Sequence, residues 1–166
     1  MLVELYVIII DSDVNEELKS ILHNWAKFVK ILSMGIEIHE LKPAMKLPDG
    51  RWNLDLATIV LPEYFKTKES MLIYLPPNSY GGNHKHPRRE AFIGTADLDL
   101  LWKDEDGVIH REKMGREGTT LLFIVQPNTP HLVVNTSKTS SALLYELADD
   151  LQHDVELVDI LKEATV

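Results

Sequence analysis

The sequence predicts an all-β domain carrying one N-terminal helix, and three observations predict it. From Ile36 onward the chain is punctuated by turn-forming groups: Pro43, Pro48–Asp49–Gly50, Pro76–Pro77–Asn78, Gly81–Gly82, Asp106–Gly107 and Pro127–Asn128. Between them lie short apolar and β-branched runs, spaced as in sandwiches and barrels. Only one long stretch repeats its apolar residues at the period of a helix face.

Taken in order, Val3–Ile10 is rich in β-branched residues and reads as a strand. Val14, Leu18, Ile21, Leu22, Trp25, Phe28 and Val29 then share one helix face, which predicts a helix over 14–29. Asp13 with Glu16 three residues on is its N-terminal capping pair. Its apolar face has to be buried, on the domain or against a second subunit. Gly35 returns the chain to extended backbone, so 1–35 reads as an extension and 36–166 as the β-domain. Further strands are expected at Ile36–Ile38, Leu54–Leu61, Met71–Leu75, Glu90–Trp102, Val108–Lys113, Thr119–Val125, His131–Asn135 and Ala142–Leu147. The tail, Val155–Leu161, fits either a short helix or a last strand.

Composition narrows the function. With 26 acidic against 17 basic side chains in 166 residues, the formal charge is −9, and a phosphate backbone would be repelled. Nucleic acid is therefore not an expected partner. The absence of cysteine removes disulfides, thiolate zinc sites and cysteine nucleophiles. The apolar run Leu5–Ile10 is far too short to span a bilayer and lacks a basic leader, so the expectation is a cytoplasmic protein with no membrane partner. No phosphate-binding loop or dinucleotide fingerprint is present; Gly81–Gly82 lacks the strand–loop–helix setting.

The chemistry concentrates in Gly81-Gly82-Asn83-His84-Lys85-His86-Pro87-Arg88-Arg89-Glu90. In a strand, residues two apart share a face. His84 and His86 therefore project together, and Glu90 has the same parity as Phe92, Gly94, Leu98, Leu100 and Trp102. Two imidazoles and a carboxylate are thus directed at the apolar side, where each needs a partner. One divalent metal ion serves all three, and this donor set suits Mn, Fe, Zn or Ni. His131, opening a strand after Pro127-Asn128-Thr129-Pro130, is available as a fourth ligand. The competing reading is a solvated loop at 84–90, with His131 a hydrogen-bonded core histidine.

The order His-x-His, three residues, Glu, a run of strands, then Pro-x-x-Pro-His with Asn135 four residues on resembles the two metal motifs of the cupin superfamily. The resemblance covers Met71 to Leu147. It implies an antiparallel β-barrel of the double-stranded β-helix or jelly-roll type and a homodimer. It also implies His84, His86, Glu90 and His131 as ligands of one divalent metal inside the barrel. Asn78, Asp97 and Asn128 stand where the motifs have glycine. Asp49-Gly50-Arg51 with Leu54, and Leu144–Asp149, are faintly similar to segments of sugar-nucleotide cupins.

Other candidates carry less. Lys85 and Arg89 read as an outward charged rim. Arg88 reads as a solvated arginine, with contact to an anionic substrate group as the alternative. Tyr80, Trp102 and Tyr145 fit either the barrel mouth or the core, and His23 and His153 read as surface residues. No role is assigned to His110. Two functions follow. The first is a metal-dependent enzyme on a small oxygen-rich molecule, a carbohydrate or a keto or hydroxy acid, working as a sugar isomerase or epimerase or as an Fe(II) dioxygenase. The second is a non-enzymatic ligand-binding or sensor protein. A second inward acid–base residue near the metal would separate them, and the sequence identifies none.

Overall fold

The computed structural model describes residues 35–95, 97–151 and 154–164; the strand and helix expected before Gly35 lie outside them, as do His23 and His153. Thirteen strands and one short helix are described: β1 (Ile36–Leu41), β2 (Met45–Lys46), β3 (Trp52–Asn53), β4 (Glu69–Leu75), β5 (Tyr80–Lys85), β6 (Glu90–Gly94), β7 (Leu98–Lys103), β8 (Ile109–Lys113), β9 (Gly115–Arg116), β10 (Thr119–Val125), β11 (His131–Asn135), β12 (Ala142–Ala148), β13 (Glu156–Leu157) and α1 (Ile160–Glu163). Two antiparallel sheets face each other. One runs β1-β10-β6-β12-β4, with β9 added to β10, and the other runs β13-β5-β11-β7-β8. No helix among the described residues is long and apolar enough to cross a membrane.

The pattern of each strand follows from what covers its two faces. Between the sheets lies the main core, with Phe92, Leu100, Leu121, Phe123, Val133 and Leu144 among its members. The outer face of the first sheet is also covered. Ala91, Ile93, Leu122, Ile124 and Leu147 pack there against Phe65 and partly buried Leu54, Ile59 and Leu61. The outer face of the second sheet is covered by α1, through Ile160 on Leu101 and Leu132. β10 is consequently buried along its whole length, which is why Leu121–Val125 is an unbroken apolar run rather than an alternating one.

Two expected strands are corrected. Glu90–Trp102 is not one strand but β6 and β7, and these belong to different sheets. At the crossing the Leu98 amide donates to the Thr95 carbonyl. Gly94 ends β6 in close quarters, where a Cβ would stand 2.9 Å from both Leu98 Cδ1 and Met114 Sδ. The inward parity survives the break, since both sheets face the same core and Phe92, Leu98, Leu100 and Trp102 all enter it. Leu54–Leu61 is not a strand either. It holds a single 3-10 turn at Leu56–Thr58, capped by the Asp55 side chain on the Ala57 amide, and Leu54, Ile59 and Leu61 serve as a cover for the sheet instead of a member of it. Gly81–Gly82 sits inside β5 rather than in a turn. The tail supplies both expected alternatives, β13 and then α1.

Candidate metal centre

Each of the four residues singled out above is placed by a different piece of backbone. His84 lies one residue before the end of β5, and its cross-strand partner on β11 is His131. A bulge follows at His131/Leu132, and Gly82 faces it with φ +92. A Cβ at Gly82 would stand 3.1 Å from the His131 carbonyl oxygen, so only glycine lets β5 approach this closely. Glu90 opens β6 in the opposite sheet, paired with Val125 and Ala148. His86 lies in the β5–β6 connection, where its carbonyl accepts from the Asn128 amide at 2.7 Å. That bond ties the first histidine segment to the Pro127–Pro130 turn. Asn128 makes the turn with φ 62, and Asn78 adopts φ 53 before β5. Both asparagines therefore do the backbone work of the glycines they stand for.

The structure brings all four side chains together. One donor atom from each of His84, His86, Glu90 and His131 lies within 4.8 Å of the other three. The imidazole centroids are 5.0–5.2 Å apart. Glu90 Oε2 stands 3.0 Å from His86 Nε2 and 3.1 Å from His131 Nε2. His86 Nδ1 donates to the Arg88 carbonyl at 3.0 Å and His131 Nδ1 to the Thr129 carbonyl at 2.9 Å. A carbonyl can only accept, so each Nδ1 carries a proton, and in the neutral ring each Nε2 presents a lone pair. His86 Nε2 is fully buried and has no hydrogen bond of good geometry. Two imidazole lone pairs and an ionised carboxylate oxygen at about 3 Å repel one another unless a cation or a proton lies between them, and the donor set therefore fits a divalent metal.

The electrostatics agree with that reading. Burial alone would raise the Glu90 carboxyl, but a proton on the facing His131 or His86 ring, standing where a cation would, donates to it and holds it well below the usual carboxylate range. Burial, reinforced by the neighbouring His131, lowers His84 to about 4. An ionised carboxylate and a neutral imidazole are the protonation states a metal requires.

His84, Glu90 and His131 line a cavity of about 100 Å³ together with Arg88 and Glu146. Its other walls are apolar, from Ile73, Leu75, Phe92, Val133 and Leu144. Two of its polar residues were misread or missed in the sequence. Arg88 is neither solvated nor free for a substrate anion: it is 8% exposed and ion-paired to Glu69, Glu90 and Glu146 at 2.7–3.2 Å. Glu146, on β12, is the second inward carboxyl that the sequence did not reveal. Burial, with repulsion from Glu90, pushes it up to about 7 against the pull of Arg88. The alternation of Leu144, Glu146 and Ala148 on β12 was the available signal.

The remaining candidates fall outside the cluster. Lys85 pairs with Glu156 and Arg89 with Asp149, on the rim. Tyr80 is exposed, Trp102 is in the core, and Tyr145 is half-buried on the outer face, where its hydroxyl accepts from Ser70. His110 pairs with Asp104 at 2.6 Å and stacks on Trp102. Asn135 is buried, and its amide reaches the Leu75, Pro76 and Ser140 carbonyls, stitching two loops together.

Solved structures share this architecture. A dTDP sugar isomerase from Desulfovibrio desulfuricans aligns with a TM-score of 0.60 at 18% identity, covering 76% of this chain and 87% of its own. The fold is a cupin-type β-barrel. QdtA, a sugar 3,4-ketoisomerase from Thermoanaerobacterium thermosaccharolyticum in complex with TDP, aligns at 0.56 with 12% identity over 79% of this chain and 95% of its own. WlaRA, a TDP-fucose-3,4-ketoisomerase from Campylobacter jejuni, aligns at 0.54 with 17% identity over 73% and 86%. The chain spans 27% of the capsular polysaccharide assembling protein CapF from Staphylococcus aureus, at a TM-score of 0.49. No family model and no curated protein matches the chain.

Proposed function

We propose that this protein binds one divalent metal ion on His84, His86, Glu90 and His131 and uses it to hold a small oxygen-rich molecule, a carbohydrate or a keto or hydroxy acid. The observation that carries the proposal is the buried, unbonded Nε2 of His86 facing the Glu90 carboxylate within a cluster of four convergent donors. Four donors leave open positions on a metal that prefers five or six, and a metal there supplies Lewis acidity to a bound oxygen. The neighbours named as sugar isomerases support the carbohydrate over the acid.

An enzymatic role is supported by Glu146. A carboxyl at about 7 on the cavity wall is poised to give or take a proton near neutral pH. Interconversion of a keto and a hydroxy carbon needs such a group. Arg88 joins Glu146 and Glu69 in one ion network beside the largely apolar cavity wall.

The test is elemental analysis of protein purified without an affinity tag, followed by thermal-shift screening of keto sugars, TDP-sugars and keto acids. One metal per chain, lost in His86→Ala and His131→Ala, is the expected result. No metal above trace in the wild type sinks the proposal. A ligand that binds and is never turned over, with Glu146→Gln binding it equally well, would leave the sensor reading in place of the enzyme.

A further inference from the structure

Arg88 touches two of the four convergent residues, each through a different group. Its carbonyl accepts from His86 Nδ1 at 3.0 Å. Its guanidinium grips Glu90, with Nε 2.9 Å and Nη2 2.7 Å from the same oxygen, Oε1. The opposite oxygen, Oε2, receives none of this and instead faces His86 Nε2 and His131 Nε2. The two carboxylate oxygens are thus divided between different partners.

The guanidinium is held in turn. Nη1 donates to Glu69 Oε2 at 2.7 Å and to the Asp150 carbonyl at 3.4 Å, and Nη2 also reaches Glu146 Oε1 at 3.2 Å. These partners come from β4, from β12 and from the turn after it, so the fork cannot swing without breaking contacts on both strands. Arg88 is buried, and a planar fork with five fixed donors suits this task in a way that a lysine ammonium does not.

We infer that Arg88 is a positioning residue that keeps Glu90 a one-oxygen ligand. By occupying Oε1 it confines the metal to Oε2, so the chain supplies three nitrogens and one oxygen and no fifth donor. A carboxylate free to swing would offer both oxygens and close a position that the small molecule needs. The inference rests on the metal reading proposed above and names what sets the coordination number of that site.

The test compares wild type with Arg88→Lys and Arg88→Gln, using Co(II) as the probe in titration calorimetry and visible absorption. Arg88→Lys keeps the positive charge and loses the fork, and both variants keep the carbonyl that fixes His86. In both, affinity for Co(II) is expected to fall roughly 10–100-fold, and the Co(II) absorption to change shape and intensity as the coordination number rises. Unchanged affinity and spectrum in Arg88→Lys overturn the inference. A crystal structure of Co(II)-loaded wild type decides the matter even if the variants fold poorly. Oε2 alone on the metal, with Oε1 on Arg88, is expected, and both oxygens on the metal overturn the inference. A wild type that takes up no Co(II), Zn(II) or Mn(II) instead overturns the metal reading itself, and Arg88 then has nothing to position.

Discussion

His86 is the residue at which the metal reading is most exposed to failure. Its ring is buried with one nitrogen bonded and one not. A metal that binds only the folded chain stabilises it by about 2.7 kcal/mol at a free concentration one hundred times its dissociation constant. Replacing His86 with alanine should remove most of that rise in melting temperature, measured with and without Zn(II) or Mn(II). An undiminished rise would place the metal elsewhere. Glu146 makes a second prediction, for protein kept metal-free with a chelator. Its folded value of about 7 lies above the 4.5 of an ordinary glutamate. The folded chain therefore holds the extra proton between these values, and stability falls as pH rises through that window. His84 has the opposite sign: its folded value of about 4 lies below 6.5, so its contribution is lost as pH falls through the span between. Of the groups around Glu146, Glu90 and Glu69 strengthen its rise while Arg88 and His86 oppose it. Because the two windows overlap with opposite sign, Glu146→Gln should make stability fall more steeply than in wild type as pH drops from about 7 to 4.5 in chemical denaturation. A pH profile identical to wild type would refute the assignment. The four convergent residues were legible in the sequence because parity and spacing along short stretches bring three of them together. Arg88 was not. Its partners Glu69 and Glu146 are 19 and 58 residues away, and no local periodicity reaches that far.

Elements were legible where both faces or one face of a strand declared themselves. β10 and β11 were legible to the residue, Thr119–Val125 and His131–Asn135: Gly118 and Pro127–Asn128 bound β10, and Pro130 and the polar run 136–141 bound β11. The 54–61 segment differs from the expected strand for a physical reason: Leu54, Ile59 and Leu61 do pack on a sheet, but as a lid over its outer face. Nothing in a residue's hydrophobicity distinguishes joining a ladder from covering one. The C-terminal elements carry a consequence for the candidate metal centre. β13 pairs with the end of β5, Leu157 opposite His84, and the Asn83 side chain accepts from the Ile160 and Leu161 amides. Asn83 thus links the start of α1 to the strand that presents His84. Ile160 is 1% exposed, so Ile160→Ala should cost about 2–5 kcal/mol in denaturant unfolding. Removing 154–166 should weaken metal binding as well as stability, because β5 loses the partner along its outer edge. A truncated protein with full Co(II) affinity would show that His84 needs no such support.

At the scale of the whole molecule the four convergent side chains are shared between layers. His84 and His131 come from the sheet β13-β5-β11-β7-β8, and Glu90 comes from the sheet that faces it. Glu90 and His131 are 41 residues apart in sequence yet within 3.1 Å. A metal bound to both is a removable cross-brace between sheets, and its effect belongs to kinetics as much as to equilibrium. The three-strand constellation assembles only when β11 has docked beside β5 and the two layers have closed. A transition state that has not yet closed the layers gains nothing from the ion, so metal should leave the refolding rate nearly unchanged and slow unfolding. In a plot of rate against denaturant, the unfolding arm should drop by about a hundredfold at a free metal concentration one hundred times the dissociation constant, while the folding arm stays in place. Equal shifts of both arms would mean that the two layers meet early in folding, with the site already built when the barrier is crossed.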